Sequence, residues 1–293
     1  MPEARGEDGR IGVIGGSGLY DMPDLADLEE VTLDTPFGPS SGSYLLGRLG
    51  GRPMAFLARH GPGHRFTPTE VNFRANIYGM KQLGVERILS VGAVGSLLEE
   101  IHPSDIVFPD QFIDRTTQRA STFFGGGVVA HVPLAHPICR QVHQTYVAAA
   151  GKLGFTFHEG GSYVCIEGPQ FSTRAESFLY RSWGVSVIGM TNATEAKLAR
   201  EAEICYGTIA LVTDYDCWHE EEEHHVSTEA VVAVLKQNVE RARQIIREVV
   251  ANLPRDRSCD CGRALEGAIL TSADRIPADV KERLKPLIGK YVQ

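Results

Sequence analysis

Short β-branched apolar runs alternate along the chain with longer segments whose apolar residues recur at helical spacing. This is the pattern of parallel strands joined by crossover helices. The runs predict strands over Ile11 to Ile14, Pro53 to Ala58, Arg87 to Val91, Asp105 to Phe108, Ser162 to Ile166, Val185 to Ile188 and Tyr206 to Val212. Helical spacing predicts helices over Thr69 to Leu83, Pro137 to Leu153, Ser172 to Trp183, Glu195 to Glu203 and Thr228 to Leu253. The last is the clearest, with Val231, Val232, Leu235, Val239, Ala242, Ile246 and Val249 on one face and Ser227 placed to cap it. Pro254-Arg255-Asp256-Arg257-Ser258 breaks that helix, and one more apolar helix is expected near Ala278 to Leu287. No repeat or linker divides the chain before Pro254. The expected fold is a single-domain α/β protein, a mixed twisted sheet flanked by helices. Residues 1–10 form a flexible amino terminus, 11–253 the domain and 254–293 a carboxy-terminal extension.

Composition narrows the classes. With 293 residues and 43% hydrophobic positions the chain can bury a large core, and 23% charged residues is ordinary for a folded protein. The 29 basic against 37 acidic residues give a net charge of −8. Affinity for nucleic-acid backbones comes from clustered Lys and Arg, so no nucleic-acid partner is expected. The polar start Met1-Pro2-Glu3-Ala4-Arg5 lacks the apolar core of a secretory signal, and no run reaches the roughly 18 apolar residues of a membrane span. Of six cysteines, Cys165 and Cys205 sit in apolar runs. A cytoplasmic protein with no membrane partner is expected.

Six strand ends carry candidate chemistry. Gly15-Gly16-Ser17-Gly18 lets backbone amides approach an anion and adds a hydroxyl, without the spacing of a dinucleotide fingerprint or a phosphate-loop lysine. Arg59 and His60 follow a strand, where a guanidinium offers paired donors to an oxyanion. Ser90-Val91-Gly92-Ala93-Val94-Gly95-Ser96 reads as a glycine-bearing turn with exposed amides. Phe171, after Glu167-Gly168-Pro169-Gln170, can stack on a flat heterocycle, and Ser172 or Thr173 can cap a helix. Met190 and Thr191 fall at a pocket lip, although Thr191 or Thr194 with Glu195 also fits a plain helix start. Asp214 and Asp216 end an apolar strand two residues apart, so both can face one ligand, and an apolar setting raises a carboxyl toward proton donation. In His219-Glu-Glu-Glu-Glu-His224-His225 the second histidine falls five residues after the first, off a shared helix face, so a zinc helix is not expected. Cys259-Asp260-Cys261 lacks the spacer and second pair of a zinc ribbon, and reads as a small strained disulfide or two free thiols.

Ile11-Gly-Val-Ile-Gly-Gly-Ser-Gly-Leu19, Asp34-Thr-Pro-Phe-Gly38, Ala58-Arg-His-Gly61, Asp110-Gln-Phe-Ile-Asp-Arg-Thr116, Ile166-Glu-Gly-Pro-Gln-Phe-Ser172 and Thr213-Asp-Tyr-Asp-Cys-Trp218 occur in this order. Together they resemble the methylthioadenosine phosphorylase branch of the purine nucleoside phosphorylases, over about residues 10 to 252. The resemblance implies a homotrimer that splits 5′-methylthioadenosine with inorganic phosphate, giving adenine and 5-methylthioribose 1-phosphate for purine and methionine salvage. It implies that Ser17, Arg59, His60, Gly92, the amide of Ala93 and Thr191 surround phosphate, and that Met190 covers the ribose. Phe171 lies against the base, Asp214 and Asp216 serve the purine edge, and Val231 and Val232 line the 5′ pocket. His131 matches a residue lent to a neighbouring subunit. Phosphate is the co-substrate, and no metal, flavin or nicotinamide is needed.

The chemistry agrees with that resemblance: a glycosidic bond breaks with positive charge on the sugar and negative charge on the base, which calls for an anion on one side and a proton donor on the other. Asp at position 214 favours 6-aminopurines, whereas an amide there suits 6-oxopurines. Three departures touch specificity. Gly92 stands where relatives often carry a hydroxyl residue, Thr228 where they carry an aliphatic one, and the run from His219 to His225 is one residue longer. A more polar 5′ pocket extends the expected substrates to adenosine or 5′-deoxyadenosine. Cys259-Asp-Cys261 resembles a unit that forms a disulfide in thermostable members. Competing readings are a methylthioinosine or general 6-oxopurine nucleoside phosphorylase, a nucleosidase using water, and a noncatalytic nucleoside-binding protein on the same fold.

Overall fold

The computed structural model describes residues 9–20, 22–219 and 228–292, with the side chains of Ser17, Tyr20 and residues 228–233 and 235–237 outside the description. The expected cap Ser227, the run after His219, and the side chains of Thr228, Val231 and Val232 therefore lie outside the described residues.

The strands are β1 (Arg10–Gly15), β2 (Leu25–Val31), β3 (Tyr44–Leu49), β4 (Arg52–Ala58), β5 (Val85–Ser96), β6 (Ile106–Phe108), β7 (Gln111–Asp114), β8 (Phe157–Glu159), β9 (Ser162–Cys165), β10 (Val187–Gly189) and β11 (Cys205–Tyr215). The helices are α1 (Phe73–Gln82), α2 (Arg140–Leu153), α3 (Arg174–Ser182), α4 (Asn192–Glu201), α5 (Thr228–Asn252), α6 (Ala278–Arg283) and α7 (Lys285–Ile288). Among the described residues the strands form one mixed sheet whose centre, β4-β1-β5-β11, is parallel. β1 and β11 are buried almost throughout, as expected for strands covered on both faces. Alternate residues feed two layers. Ile11, Val13, Leu89 and Ile209 pack with α2 and α5, while Ile14, Leu57, Ile88 and Tyr206 pack with α1, α4 and the carboxy-terminal segment. No helix among the described residues is long and apolar enough to cross a membrane.

The structure corrects several sequence expectations. Ser90 to Ser96 is no turn but the continuation of β5, since β11 pairs with it from Cys205–Arg87 through Tyr215–Ser96. The helix expected from Thr69 begins at Phe73, where the Asn72 side chain accepts from the Ala75 amide. The helix near the carboxy terminus is two pieces, because Pro286 lacks an amide and is tolerated only in the first turn of α7. The capping alternative at 172–173 resolves to Thr173, which forms a reciprocal capping box with Glu176.

Candidate active site

The strand order leaves an opening. β1 pairs with β5 only as far as Ser90, and β10 pairs with the same edge only from Gly95. Between them the edge of β5 from Val91 to Val94 faces a cleft of about 480 Å³ at the carboxyl ends of the parallel strands, a size suited to a small ligand. The Val91 carbonyl points into this gap, accepting from Arg59 Nη1 at 2.9 Å. Backbone groups alternate sides along a strand, so the Ala93 amide faces the gap as well, and the carbonyl of Val94 faces β11. The Thr213 hydroxyl, 3.3 Å from that carbonyl, agrees.

The cleft gathers Arg59, His60, Gly92, Ala93, Phe171, Met190, Thr191, Asp214 and Asp216 from separate strand ends. Gly16 and Gly18 flank Ser17 in a turn of 3-10 helix at the mouth of β1. His131 is not among the lining residues. It is exposed on a segment whose amide donates to Ala268 O.

Arg59 differs from its expected posture. It is 3% exposed, and its Nε and Nη2 donate to both oxygens of Glu195, with Nη2 also reaching Ser90 Oγ at 2.7 Å. The two-pronged fork is thus spent on a buried carboxylate, and only Nη1 remains on the cleft side, near Gly92. Glu195 is fully enclosed and also accepts from Ser90 and Tyr206. The sequence offered Glu195 only as a first-turn acid of a helix, because its partner lies 136 residues away.

His60 is also specific in state. Its Nδ1 lies 2.9 Å from Phe66 O, and a carbonyl can only accept, so Nδ1 carries the proton. Burial, aided by the Arg59 charge, pushes the imidazole down to about 4. The ring is neutral near pH 7 and Nε2 is an acceptor, suited to a P–OH or sugar hydroxyl. His64 stacks on it at 4.2 Å.

On the same side, α4 starts at the cleft. Thr191 occupies its N-cap and makes no side-chain capping bond; its hydroxyl lies 3.5 Å from Asn192 Oδ1, the Ala193 amide donates to Cys165, and the helix presents its positive end to the cleft.

Across the cleft, β11 bulges: Val212 faces Val94 and Asp214 faces Gly95, leaving Thr213 as the extra residue. Bulges re-aim side chains beside active sites. Here the bulge brings Asp214 Oδ1 to within 3.1 Å of where a Gly95 Cβ would stand, so a side chain at 95 would press the carboxylate aside by a few tenths of an ångström. Burial, reinforced by the neighbouring Asp216 charge, lifts the Asp214 carboxyl to about 6 against the pull of the Thr213 hydroxyl, 2.6 Å from Oδ2. Burial also raises Asp216, whose Oδ2 has no hydrogen-bond partner among the described residues. Trp218 fixes this segment through Nε1 to Ser96 O at 2.8 Å.

Sequence reasoning missed a second organising pair. Glu167 accepts from Arg119 Nε, Thr69 and the amides of Thr117 and Gln118, and despite the cost of burial these donors hold it down at about 2. Arg119 also donates to the carbonyls of Glu167 and Met190, tying the loop before Phe171 to the lip at Met190. Gly168, at φ 65°, lies where a Cβ would strike Met190 Sδ at 2.5 Å. Phe171 is half-exposed on the cleft, and Val239 of α5 lines its far wall.

A cleft at strand ends, with a helix start lacking a side-chain cap on one side and a protonatable half-buried carboxyl on the other, defines a group-transfer enzyme of the phosphorylase superfamily. The chain belongs to that superfamily, whose family model matches residues 10–251. More narrowly, it is similar to S-methyl-5′-thioadenosine phosphorylase from Koribacter versatilis, 60% identical over 281 residues and 96% of both chains. The enzyme of that name from Geobacter sulfurreducens is 61% identical over 96% of this chain and 99% of its own. Among solved structures, a methylthioadenosine phosphorylase from an antarctic soil metagenomic library superposes with TM-score 0.91 at 48% identity, covering 96% of this chain and 99% of the other. A Schistosoma mansoni adenosine/methylthioadenosine phosphorylase variant in complex with methylthioadenosine gives TM-score 0.82 at 35% identity, over 88% and 96%.

Proposed function

We propose that this cleft cleaves 5′-methylthioadenosine by phosphorolysis, yielding adenine and 5-methylthioribose 1-phosphate. The observation that carries the reading is Asp214, a half-buried carboxyl lifted to about 6 across the cleft from the start of α4. Phosphate sits against that helix start, taking hydrogen bonds from the Ala93 amide, the Thr191 and Ser17 hydroxyls and Arg59 Nη1, while neutral His60 accepts from its P–OH. The base lies against Phe171, and Met190 covers the sugar. As the C1′–N9 bond breaks, the electron pair moves into the purine and Asp214 gives its proton to N7. A phosphate oxygen then bonds to C1′, and its negative charge steadies the cationic sugar before the bond forms. The chemistry needs no metal or organic cofactor. Asp216, with an unpartnered oxygen, accepts from the exocyclic amine of adenine.

Adenine release from methylthioadenosine, with and without phosphate and with adenosine and methylthioinosine in parallel, tests this. Phosphate-dependent release led by methylthioadenosine is expected. Release without phosphate means a hydrolase, preference for methylthioinosine overturns the role of Asp214, and binding without turnover restores a noncatalytic binder.

The pH profile follows from the acid. Asp214 must be protonated to donate, so kcat/KM for methylthioadenosine is expected to fall about tenfold per unit above pH ~6, while the Asp214→Asn variant loses that limb. Gly92 gives a second test. A Cβ there meets only Asn192 Oδ1 at 3.6 Å and Arg59 Nη1 at 3.8 Å, so Gly92→Ser fits and adds a hydroxyl to the phosphate seat. The phosphate KM is expected to drop about tenfold, the worth of about 1.4 kcal/mol from one hydrogen bond to an anion. An unchanged KM removes position 92 from that seat.

The assembly we propose is a homotrimer in the cytoplasm, serving purine and methionine salvage. His131, exposed and outside its own cleft, reaches a neighbour's 5′ pocket there. Sedimentation reads the assembly, and a fully active monomer contradicts the role of His131.

A further inference from the structure

Cys205 and Asp214 lie on the same strand, roughly 30 Å apart at ~3.3 Å per residue. Around Cys205, far from the cleft, the fold gathers a second set of reactive side chains. Cys139 is the N-cap of α2, and Cys259 and Cys261 flank Asp260 at a turn of 3-10 helix in the carboxy-terminal segment. The sulfur atoms of these four cysteines lie within 4.8 Å of one another, and those of Cys205 and Cys259 are 3.3 Å apart. Three of the residues are buried and Cys259 is half-buried. The Cys259-Asp-Cys261 unit lacks a second pair in sequence. The fold supplies one from positions 139 and 205.

Four thiolates around Zn2+ at about 2.3 Å place their sulfurs about 3.8 Å apart, which this cluster reaches with small movements of side chains. The surroundings suit the net negative charge of such a complex. Cys139 stands at the positive end of a 14-residue helix. Arg87, fully buried, is the register partner of Cys205 on β5 and projects from the same face of the sheet. Its Nη2 donates to the carbonyls of Pro254 and Arg255 at 2.9 and 2.8 Å, its Nη1 pairs with Glu86 at 3.6 Å, and its Nε has no hydrogen-bond partner among the described residues. Its positive charge, met by a single carboxylate at that distance, favours a further anion on the same face of the sheet.

We propose that Cys139, Cys205, Cys259 and Cys261 bind one Zn2+ as a tetrathiolate, releasing their thiol protons to solvent. With all four positions filled by protein, the ion has no open site for water, so its role is structural. It joins the carboxy-terminal segment to α2 and β11.

The test uses the full chain, expressed with zinc and purified under reducing conditions. Elemental analysis is expected to give about one zinc per chain, and Co2+ replacement to give the visible spectrum of a tetrahedral thiolate site. The Cys259→Ser/Cys261→Ser variant loses both signals, whereas Cys217→Ser keeps them. Chelation under reduction lowers the melting temperature and opens the segment after Leu253 to protease. Unmodified protein with no zinc and no cobalt spectrum overturns the proposal, whether its six thiols are all free or its mass is short by the hydrogens of one or two disulfides.

Discussion

Replacing Asp214 with Asn lowers kcat/KM for methylthioadenosine by about a thousandfold, within the range of ~10²–10⁴ that a positioned general acid contributes. The effect is this large because Asp214 is the group that meets N7 in the proposed pose. Asp216, buried at the same strand end, accepts from the exocyclic amine in that pose, and the side opposite is the proposed phosphate seat. The amide keeps the shape of the carboxyl and its approach to Gly95, so the fold and the phosphate KM are expected to stay near those of the parent. Base preference is expected to shift with it, because an amide pairs better with a 6-oxo edge and activity on methylthioinosine falls less. Steady-state kinetics on both nucleosides reads this. A loss below tenfold on methylthioadenosine removes Asp214 from proton transfer.

The largest effect on stability belongs to Glu195. Its truncation to Ala strands the Arg59 guanidinium, 3% exposed and bonded to both carboxylate oxygens, without a counter-charge. Breaking a buried pair in this way costs about 3–5 kcal/mol, and a fall in melting temperature of roughly 10 °C is expected. Ser90, Tyr206 and Asn192 belong to the same network, so the loss spreads to the floor of the cleft. Replacing both charges, as Arg59→Met with Glu195→Leu, recovers most of the stability because no charge remains buried, while activity stays low for want of Arg59 Nη1. Thermal denaturation of the two variants reads the difference. A Glu195→Ala shift as small as that of an exposed ion pair contradicts the buried network.

What the sequence disclosed follows from range. β1, β4 and β11 were visible because each is a buried apolar run that needs no partner to be recognised. β2 was not. Its residues Leu25–Val31 are largely exposed and acidic at the edge of the sheet, so they carry no apolar alternation. β8 has three residues, too short for a period, whereas β10, equally short, was read within Val185 to Ile188. The cleft residues could be read because each lies at or just after the carboxyl end of an apolar run, and the structure does gather Arg59, His60, Gly92, Ala93, Met190, Thr191, Asp214 and Asp216. The supports stayed hidden. Glu195 depends on Arg59 across 136 residues and Glu167 on Arg119 across 48, and neither separation leaves a local mark. The glycines of β5 misled for a related reason, since only pairing with β11 makes Ser90 to Ser96 a strand.

The carboxy-terminal segment sets the order in which the chain can finish folding as it is made. Leu284, Leu287 and Ile288 cover the same core layer as Ile77 and Tyr78, and the Tyr78 hydroxyl donates to the carbonyl of Arg283, 205 residues later. At ~5–20 residues per second of synthesis, that face of α1 waits roughly 10 to 40 s for its cover. Every cleft residue named above has been synthesised by then. A message truncated after Leu253 would therefore encode a complete set of cleft side chains on a body whose core is left open, and its product would be lost to aggregation or proteolysis before its chemistry mattered.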